Sequence, residues 1–274
     1  MKKEPVRLTS IDGPTLLIEF GGLRILTDPT FDEPQQYRLG AKTFTKRNSP
    51  AVRRDLLLPI DVILLSHDQH FDNLDKAGRD FLPYARMVLS TSAAEQRLGG
   101  NTRGLAPWSE IALPLPDGRT LKVTATPARH GPAGFEGTSG QVIGFVLSIG
   151  DSPSIYVSGD TVWYEGVAEV ARRFQIGVAI LFAGSAQPLG PFNVTMSTND
   201  VIEAAAAFSG AQVVTVHDSG WSHYTQTQAD IAEAFEAVGI RDRLQLLRPG
   251  RPVELDGVGE FGTLENLHST RRGR

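Results

Sequence analysis

A chain of 274 residues, 41% hydrophobic and 21% charged, has ordinary globular composition, and no uncharged run in it reaches the ~18 residues of a membrane span. A net charge of −4 and a pI near 5.9 argue against a nucleic-acid binder, whose footprint is a basic face. Cysteine is absent, which excludes a disulfide framework and any thiolate ligand, so a metal would have to be held by His, Asp and water.

The first residues, Met1-Lys2-Lys3-Glu4-Pro5, lack the apolar stretch of a secretory signal, and a cytoplasmic location is expected. Residues 15–20 and 23–27 flank Gly21-Gly22 and read as a β-hairpin that runs into the loop signal Asp28-Pro29. The continuous apolar run from Asp61 to Leu65 has strand length, and Arg86 to Leu89 follows as another strand. Thr91 or Ser92 caps a short helix through Leu98, closed by Gly99-Gly100. Ile111–Leu115 and Thr120–Thr126 make a second hairpin around Asp117-Gly118, and Gln141–Ile149 with Ser154–Val157 a third around Gly150-Asp151.

Helix and strand then alternate. Glu165–Phe174 is predicted helical and Ile176–Phe182 a strand. Thr198 is the expected cap of an alanine-rich helix over Asn199–Phe208, whose early Asp200 suits the N-terminal dipole. Gln212–Val216 is a strand, Thr227 caps a helix over Gln228–Val238 ended by Gly239, and Arg243–Leu247 and Pro252–Leu255 close the fold. A hairpin-rich first half and an alternating second half predict an α+β fold of two sheets packed face to face with helices outside. No linker, repeat or low-complexity block divides the chain, so one domain over residues 1–274 is expected, with 264–274 as a flexible tail. The basic end, Thr270 to Arg274, reads as a frayed terminus and His268 as a solvated residue of that tail.

The chemistry gathers where strands end. After Val62-Ile63-Leu64-Leu65 comes Ser66-His67-Asp68-Gln69-His70-Phe71-Asp72-Asn73-Leu74-Asp75, two histidines and three carboxylates delivered by an apolar strand to the rim of a core. Three later strands lead into Pro127-Ala128-Arg129-His130, Ser158-Gly159-Asp160-Thr161 and His217-Asp218. Imidazole and carboxylate suit zinc, manganese or iron, and four strands ending in such groups predict one metal site at one sheet edge. The expected ligands are His67, His70, Asp72, His130, Asp160 and His217.

These residues carry a resemblance. The order His-x-x-His-x-Asp, Pro-Ala-Arg-His-Gly, Ser-Gly-Asp-Thr and a strand-final His resembles the metallo-β-lactamase superfamily, in its ascorbate-phosphate-lactonase-like and phospholipase-D-like branch, over about residues 8–256. The resemblance implies an αββα sandwich with two metals in a cleft at the sheet edge. It makes His130 the third ligand of the first metal, Asp160 the bridging carboxylate and His217 the distal ligand of the second. The usual first motif is His-x-His-x-Asp-His, so this chain departs from it twice. An extra residue separates His67 from His70, and Asn73 stands where the final histidine belongs. Anchored on His70 and Asp72, that register puts Asp68 in the first histidine's slot, and His67 can ligate only if the loop bulges. Asn73 is then at best a weak oxygen ligand of the second metal.

The same alignment makes Asp75 either a partner orienting a ligating histidine or a helix N-cap. Asp68 and Gln69 carry the same two readings, and Asp28 is expected to hold the motif loop. Past His217, His223 is either a substrate-binding, proton-donating residue or a helix-entry residue. Trp163, Tyr164 and Trp221 either wall a substrate pocket or plug the core. The function expected is a metal-dependent hydrolase of a small molecule, with a metal-activated water attacking a lactone, ester, amide or phosphodiester, Asp72 orienting that water and His223 assisting. Its cofactor would be one or two divalent ions, zinc foremost. The chain has no Gly-x-Ser-x-Gly elbow to supply another nucleophile. The alternatives are a catalytically altered metal- or metabolite-binding protein and a di-iron redox enzyme on the same fold. A small-molecule substrate, no nucleic acid, no membrane span and a homo-oligomer complete the expectation.

Overall fold

The computed structural model describes residues 4–255; His268 and the tail expected over 264–274 lie outside them. In chain order the first half supplies β1 (Val6–Asp12), β2 (Thr15–Phe20), β3 (Leu23–Thr27), β4 (Gln35–Leu39), β5 (Lys42–Lys46), β6 (Ile60–Leu64), α1 (Lys76–Phe81), β7 (Ala85–Thr91), α2 (Ser92–Leu98) and β8 (Thr102–Leu105). There follow β9 (Glu110–Pro114), β10 (Thr120–Pro127), α3 (Glu136–Ser139), β11 (Ile143–Ile149), β12 (Ser154–Val157), α4 (Glu165–Arg173) and β13 (Ile176–Phe182). The last elements are α5 (Thr198–Ala207), β14 (Gln212–Val216), α6 (Gln228–Ala237), β15 (Leu244–Gln245) and β16 (Val253–Leu255).

Two mixed sheets of seven strands result, in the orders β16-β1-β2-β3-β6-β7-β8 and β15-β14-β13-β12-β11-β10-β9. Each changes from antiparallel hairpins to parallel strands part-way across: β3, β6, β7 and β8 are parallel neighbours in one sheet, and β12 to β15 in the other. Strand alternation decides what each face meets. Leu16, Ile18, Ile25 and Leu64 of the first sheet meet Phe145, Leu147, Ile180 and Phe182 of the second in one buried core. The alternate residues of β13, Ala179 and Leu181, turn outward under Val167 and Val170 of α4, Val201 and Ala204 of α5, and Ile231 and Phe235 of α6. β13 is therefore buried on both faces, which is why it reads as an unbroken apolar run. On the far side Leu26, Ile63 and Val88 are covered by Leu74 and by Phe81 of α1. No helix among the described residues is long and apolar enough to cross a membrane.

The helix over 198–207 starts one residue earlier than expected. Ser197, not Thr198, is its cap, in a box in which Ser197 Oγ accepts from the Asp200 amide and the Asp200 carboxylate accepts from the Ser197 amide. The last strand of the second sheet is shorter than the expected Arg243–Leu247. The Arg243 guanidinium, buried, instead donates to the carbonyls of Phe208 and Ala211 and anchors the turn ahead of it.

Parallelism fixes the site. β10 and β11 are antiparallel, as are β11 and β12, while β12, β13 and β14 are parallel. The C-terminal ends of β10, β12 and β14 therefore emerge at one edge. There the amide of Ile143 donates to the carbonyl of Ser66, just past β6, and joins the two sheets at 3.2 Å.

Candidate metal centre

The structure brings His67, His70 and His130 together, with one ring nitrogen of each within 4.8 Å of the other two. His67 Nε2 lies 2.8 Å and His130 Nε2 3.2 Å from His70 Nδ1. The outer nitrogens fix the tautomers. His130 Nδ1 lies 2.7 Å from the carbonyl oxygen of Val194, which can only accept, so Nδ1 carries the proton and Nε2 keeps its lone pair. Ser66 Oγ donates to Asp28 at 2.7 Å and so accepts from His67 Nδ1 at 2.9 Å, which again leaves Nε2 free. Asp28 thus holds the motif loop through the Ser66 amide and hydroxyl. Burial, with His70 and His130 alongside, holds His67 well below the ordinary histidine range, and burial also lowers His130. Neutral imidazoles with inward lone pairs are what a divalent cation needs.

Asp160 completes the donor set. It is fully buried, its Oδ2 has no hydrogen-bond partner among the described residues, and that oxygen stands 3.7 Å from His130 Nε2. An orphaned buried carboxylate oxygen beside three histidine nitrogens fits a cation, so this donor set suits one. Gly159 makes the approach workable. Its φ is +59°, and a Cβ there would come within 2.5 Å of the Ile143 carbonyl and 2.8 Å of Ser66 Cβ.

Asp72 and His217 stand on the other side. His217 Nε2 lies 3.4 Å from Asp160 Oδ1 and 3.5 Å from Asp72 Oδ2, and His217 itself sits at φ 61°, in the left-handed region at a strand end. Burial opposes the charge on His217, but Asp160 and Asp72 outweigh it and raise the group to about 9. For Asp72 burial is likewise outweighed, by His223 and His217, and the carboxyl is held well below its ordinary range. His223 Nε2 is 2.8 Å from Asp72 Oδ2.

Other expected residues go elsewhere. Asp68 does not occupy a ligand slot: its carboxylate is clasped by Arg97 of α2, with Nε at 2.9 Å. Gln69 turns outward, donating to the carbonyls of Ser139 and Gln141, so the loop bulges at 68–69 and lets His67 point inward. Asn73 is buried, donates from Nδ2 to Asp160 Oδ1 at 3.1 Å, and leaves its Oδ1 without a partner among the described residues. Asp75 orients no histidine. It caps α1 through the Gly78 amide, accepts from the amides of Phe31 and Asp32, and pairs with Lys46 at 3.0 Å. Trp163 and Tyr164 pack with the outer cluster of the second sheet, Tyr164 beneath the Arg129 guanidinium, and are not among the residues lining the cavity at the histidines.

The histidines open into a cavity of about 190 Å³ whose lining includes His70, Asp72, His130 and His223, together with Trp221, as expected for one of the three aromatics. Its remaining walls are mostly apolar, with Gln69, Thr138 and Ser139 among Phe44, Phe71, Phe135 and Leu189, and the sequence singled out none of these apolar four. Tyr224 was also missed; its hydroxyl lies 3.0 Å from His217 Nε2 and donates to Asp72 Oδ2 at 3.4 Å. The tyrosine directly following His223 was the available signal.

The model of the β-lactamase superfamily domain matches residues 23–217, well over half of the sequence. The chain belongs to that family. Among the relatives of this β-lactamase superfamily protein is a UPF0173 metal-dependent hydrolase of Pelotomaculum thermopropionicum, 29% identical over 91% of this chain and the whole of the relative. Solved structures with the same fold include an isothiocyanate hydrolase from Delia radicum gut bacteria, at TM-score 0.77 and 22% identity, covering 92% of this chain and 99% of that one. A possible metal-dependent hydrolase from Veillonella parvula superposes at TM-score 0.79 with 20% identity, over 91% of this chain and 99% of its own. The superfamily protein thus has the metallo-β-lactamase fold.

Proposed function

We propose that this chain is a metal-dependent hydrolase of a small, uncharged molecule bearing an apolar group. The observation that carries the reading is the convergence of three imidazoles, His67 and His130 buried and His70 half-buried, beside the unpartnered carboxylate oxygen of Asp160, with His70 and His130 lining a largely apolar cavity. His67, His70, His130 and Asp160 would hold a divalent ion, zinc being the best match to their nitrogen-rich donors. When bound, such an ion supplies acidified water and polarises an electrophilic carbon.

The protein's own groups do the rest. Asp72 remains an ionised carboxylate, and its Oδ2 orients the attacking water. His223, hydrogen-bonded through Nε2 to Asp72 Oδ2 at 2.8 Å and lining the cavity, is placed to return to the leaving atom the proton that the attacking water gives up. Phe44, Phe71 and Phe135 exclude water and take up the apolar group. Among the described residues lining the cavity none is Lys or Arg, and the Lys42 ammonium at the rim already donates to the Pro188 carbonyl at 2.7 Å. Beyond the ion itself a phosphodiester would find no cationic side chain in the walls to clamp it, which favours the neutral lactone, ester and amide over it. The isothiocyanate group, a neutral electrophilic carbon on an apolar substituent, belongs in the same class.

The test is hydrolysis of a matched set, one aryl or alkyl group presented as ester, lactone, amide, isothiocyanate and phosphodiester, before and after chelation. Chelator-sensitive turnover of at least one neutral member, with the phosphodiester inert, is expected. Turnover of the phosphodiester alone, or turnover indifferent to metal, would overturn the reading.

A further inference from the structure

The family resemblance implies a second ion among Asp72, Asp160 and His217, and the atoms that would face it are already engaged. Asp160 Oδ1 accepts from Asn73 Nδ2 at 3.1 Å. His217 Nε2 is hydrogen-bonded to the Tyr224 hydroxyl at 3.0 Å. Asp72 Oδ2 takes His223 Nε2 at 2.8 Å and the Tyr224 hydroxyl at 3.4 Å. On the other side of the same carboxylate the position is reversed, for Asp160 Oδ2 is the oxygen left without a partner. Among the described residues, the three ligand-type side chains that gather as a group are His67, His70 and His130, with ligand atoms within 4.8 Å of one another, whereas His217 Nε2 stands 3.4 Å from Asp160 Oδ1 and 3.5 Å from Asp72 Oδ2 with Tyr224 bonded to it.

We infer that the centre is mononuclear: one divalent ion belongs at His67, His70, His130 and Asp160 Oδ2, and a hydrogen-bonded wall of Asn73, His217, Asp72, His223 and Tyr224 stands where the second would lie. Asn73 is the residue that decides it. A histidine there would offer a lone pair to a cation, whereas the carboxamide offers N–H to Asp160 and so satisfies the oxygen that a bridging carboxylate must give to the second ion. Tyr224 and His223 close the gap by filling the remaining donor positions from the loop after β14. A second cation would have to displace the four hydrogen bonds that Asn73, Tyr224 and His223 make to Asp160, His217 and Asp72, and would gain in return only the weak carboxamide oxygen of Asn73, which has no partner among the described residues. This inference rests on the metal-dependent reading above and narrows it to one ion.

The experiment is metal stoichiometry. Untagged protein stripped by chelation would be titrated calorimetrically with zinc chloride, then dialysed and read by plasma mass spectrometry. Circular dichroism would confirm that each sample is folded. About one zinc per chain is expected, retained at about one in both His217→Ala and Asp72→Asn. Two per chain in the wild type would overturn the mononuclear centre while leaving a metal-dependent enzyme intact. One in the wild type but none in the folded variants would overturn the placement. None in folded wild-type protein would overturn the metal-dependent reading itself, and the inference with it.

Discussion

At the residue scale the centre depends on which way each imidazole is turned, and the partners that turn them are not metal ligands. Val194's carbonyl sets His130, and Ser66, held by Asp28, sets His67. His130→Ala and Asp160→Ala should each lose bound zinc and at least ~10²-fold in turnover, since loss of a ligand removes the activated water. Asp68→Asn is the contrasting case. Its carboxylate serves Arg97, so the variant should keep full metal content, and a loss of metal there would return Asp68 to the ligand set. Both measurements are metal analysis and initial rates on folded protein. That His67, His70, Asp72, His130, Asp160 and His217 gather at one sheet edge was legible because apolar strands do not end in histidine and aspartate without a reason. The register of the first motif was not legible. Counting residues assumes an even loop, whereas here Asp68 and Gln69 find partners in α2 and at Ser139 and turn outward as a bulge. Sequence spacing does not show where a side chain's partner waits.

At the element scale the hairpin β4–β5 matters most, and the sequence reading left it unassigned. It forms its own two-stranded sheet, carries Leu39 and Phe44 to the cavity, and bridges through Lys46 to Trp221. Four of the five β4 positions are exposed, so the pattern lacks the apolar alternation that marked the Gly21-Gly22 and Asp117-Gly118 hairpins. Its anchor is a charge. Lys46 is fully buried and pairs with Asp12 at 2.9 Å, at the end of β1, and with Asp75 at 3.0 Å, at the cap of α1. Breaking a buried pair by removing one partner strands the others, at about 3–5 kcal/mol. Lys46→Met should therefore lower the unfolding free energy, read from urea denaturation, by that much while zinc content, set elsewhere, is retained once folded. A destabilisation under about 1 kcal/mol would show that the triad ties nothing down. Gly159→Ala tests the turn that delivers Asp160. Positive φ and a 2.5 Å approach to the Ile143 carbonyl both oppose a methyl group, and weakened zinc affinity is expected from calorimetric titration. Unchanged affinity would mean that Asp160 does not need that turn.

At the scale of the whole molecule, the donor set is divided between the two sheets. His67 and His70 follow β6 of one, and His130 and Asp160 follow β10 and β12 of the other. At this edge the two sheets are joined by the hydrogen bond from the Ile143 amide to the Ser66 carbonyl, and four donors drawn from both sides would make an ion a second cross-link there. The core of Leu16, Ile18, Phe145 and Phe182 was foreseeable from alternating strands, but its meeting with the site was not, since it depends on strand order and that is invisible in hairpin signals. The cross-link has a thermodynamic consequence. An ion that binds only the folded state adds about 2.7 kcal/mol at a free concentration of a hundred times Kd. For a chain of this size, roughly 2–4 °C of Tm accompanies each kcal/mol, so saturating zinc should raise Tm by about 5–10 °C over chelated protein. His130→Ala should unfold at the same temperature with or without zinc, because with His130 gone the second sheet keeps only Asp160 in the set. A wild-type Tm indifferent to zinc would mean that the ion, if bound, does not bridge the sheets, and an undiminished rise in His130→Ala would place it away from the three histidines.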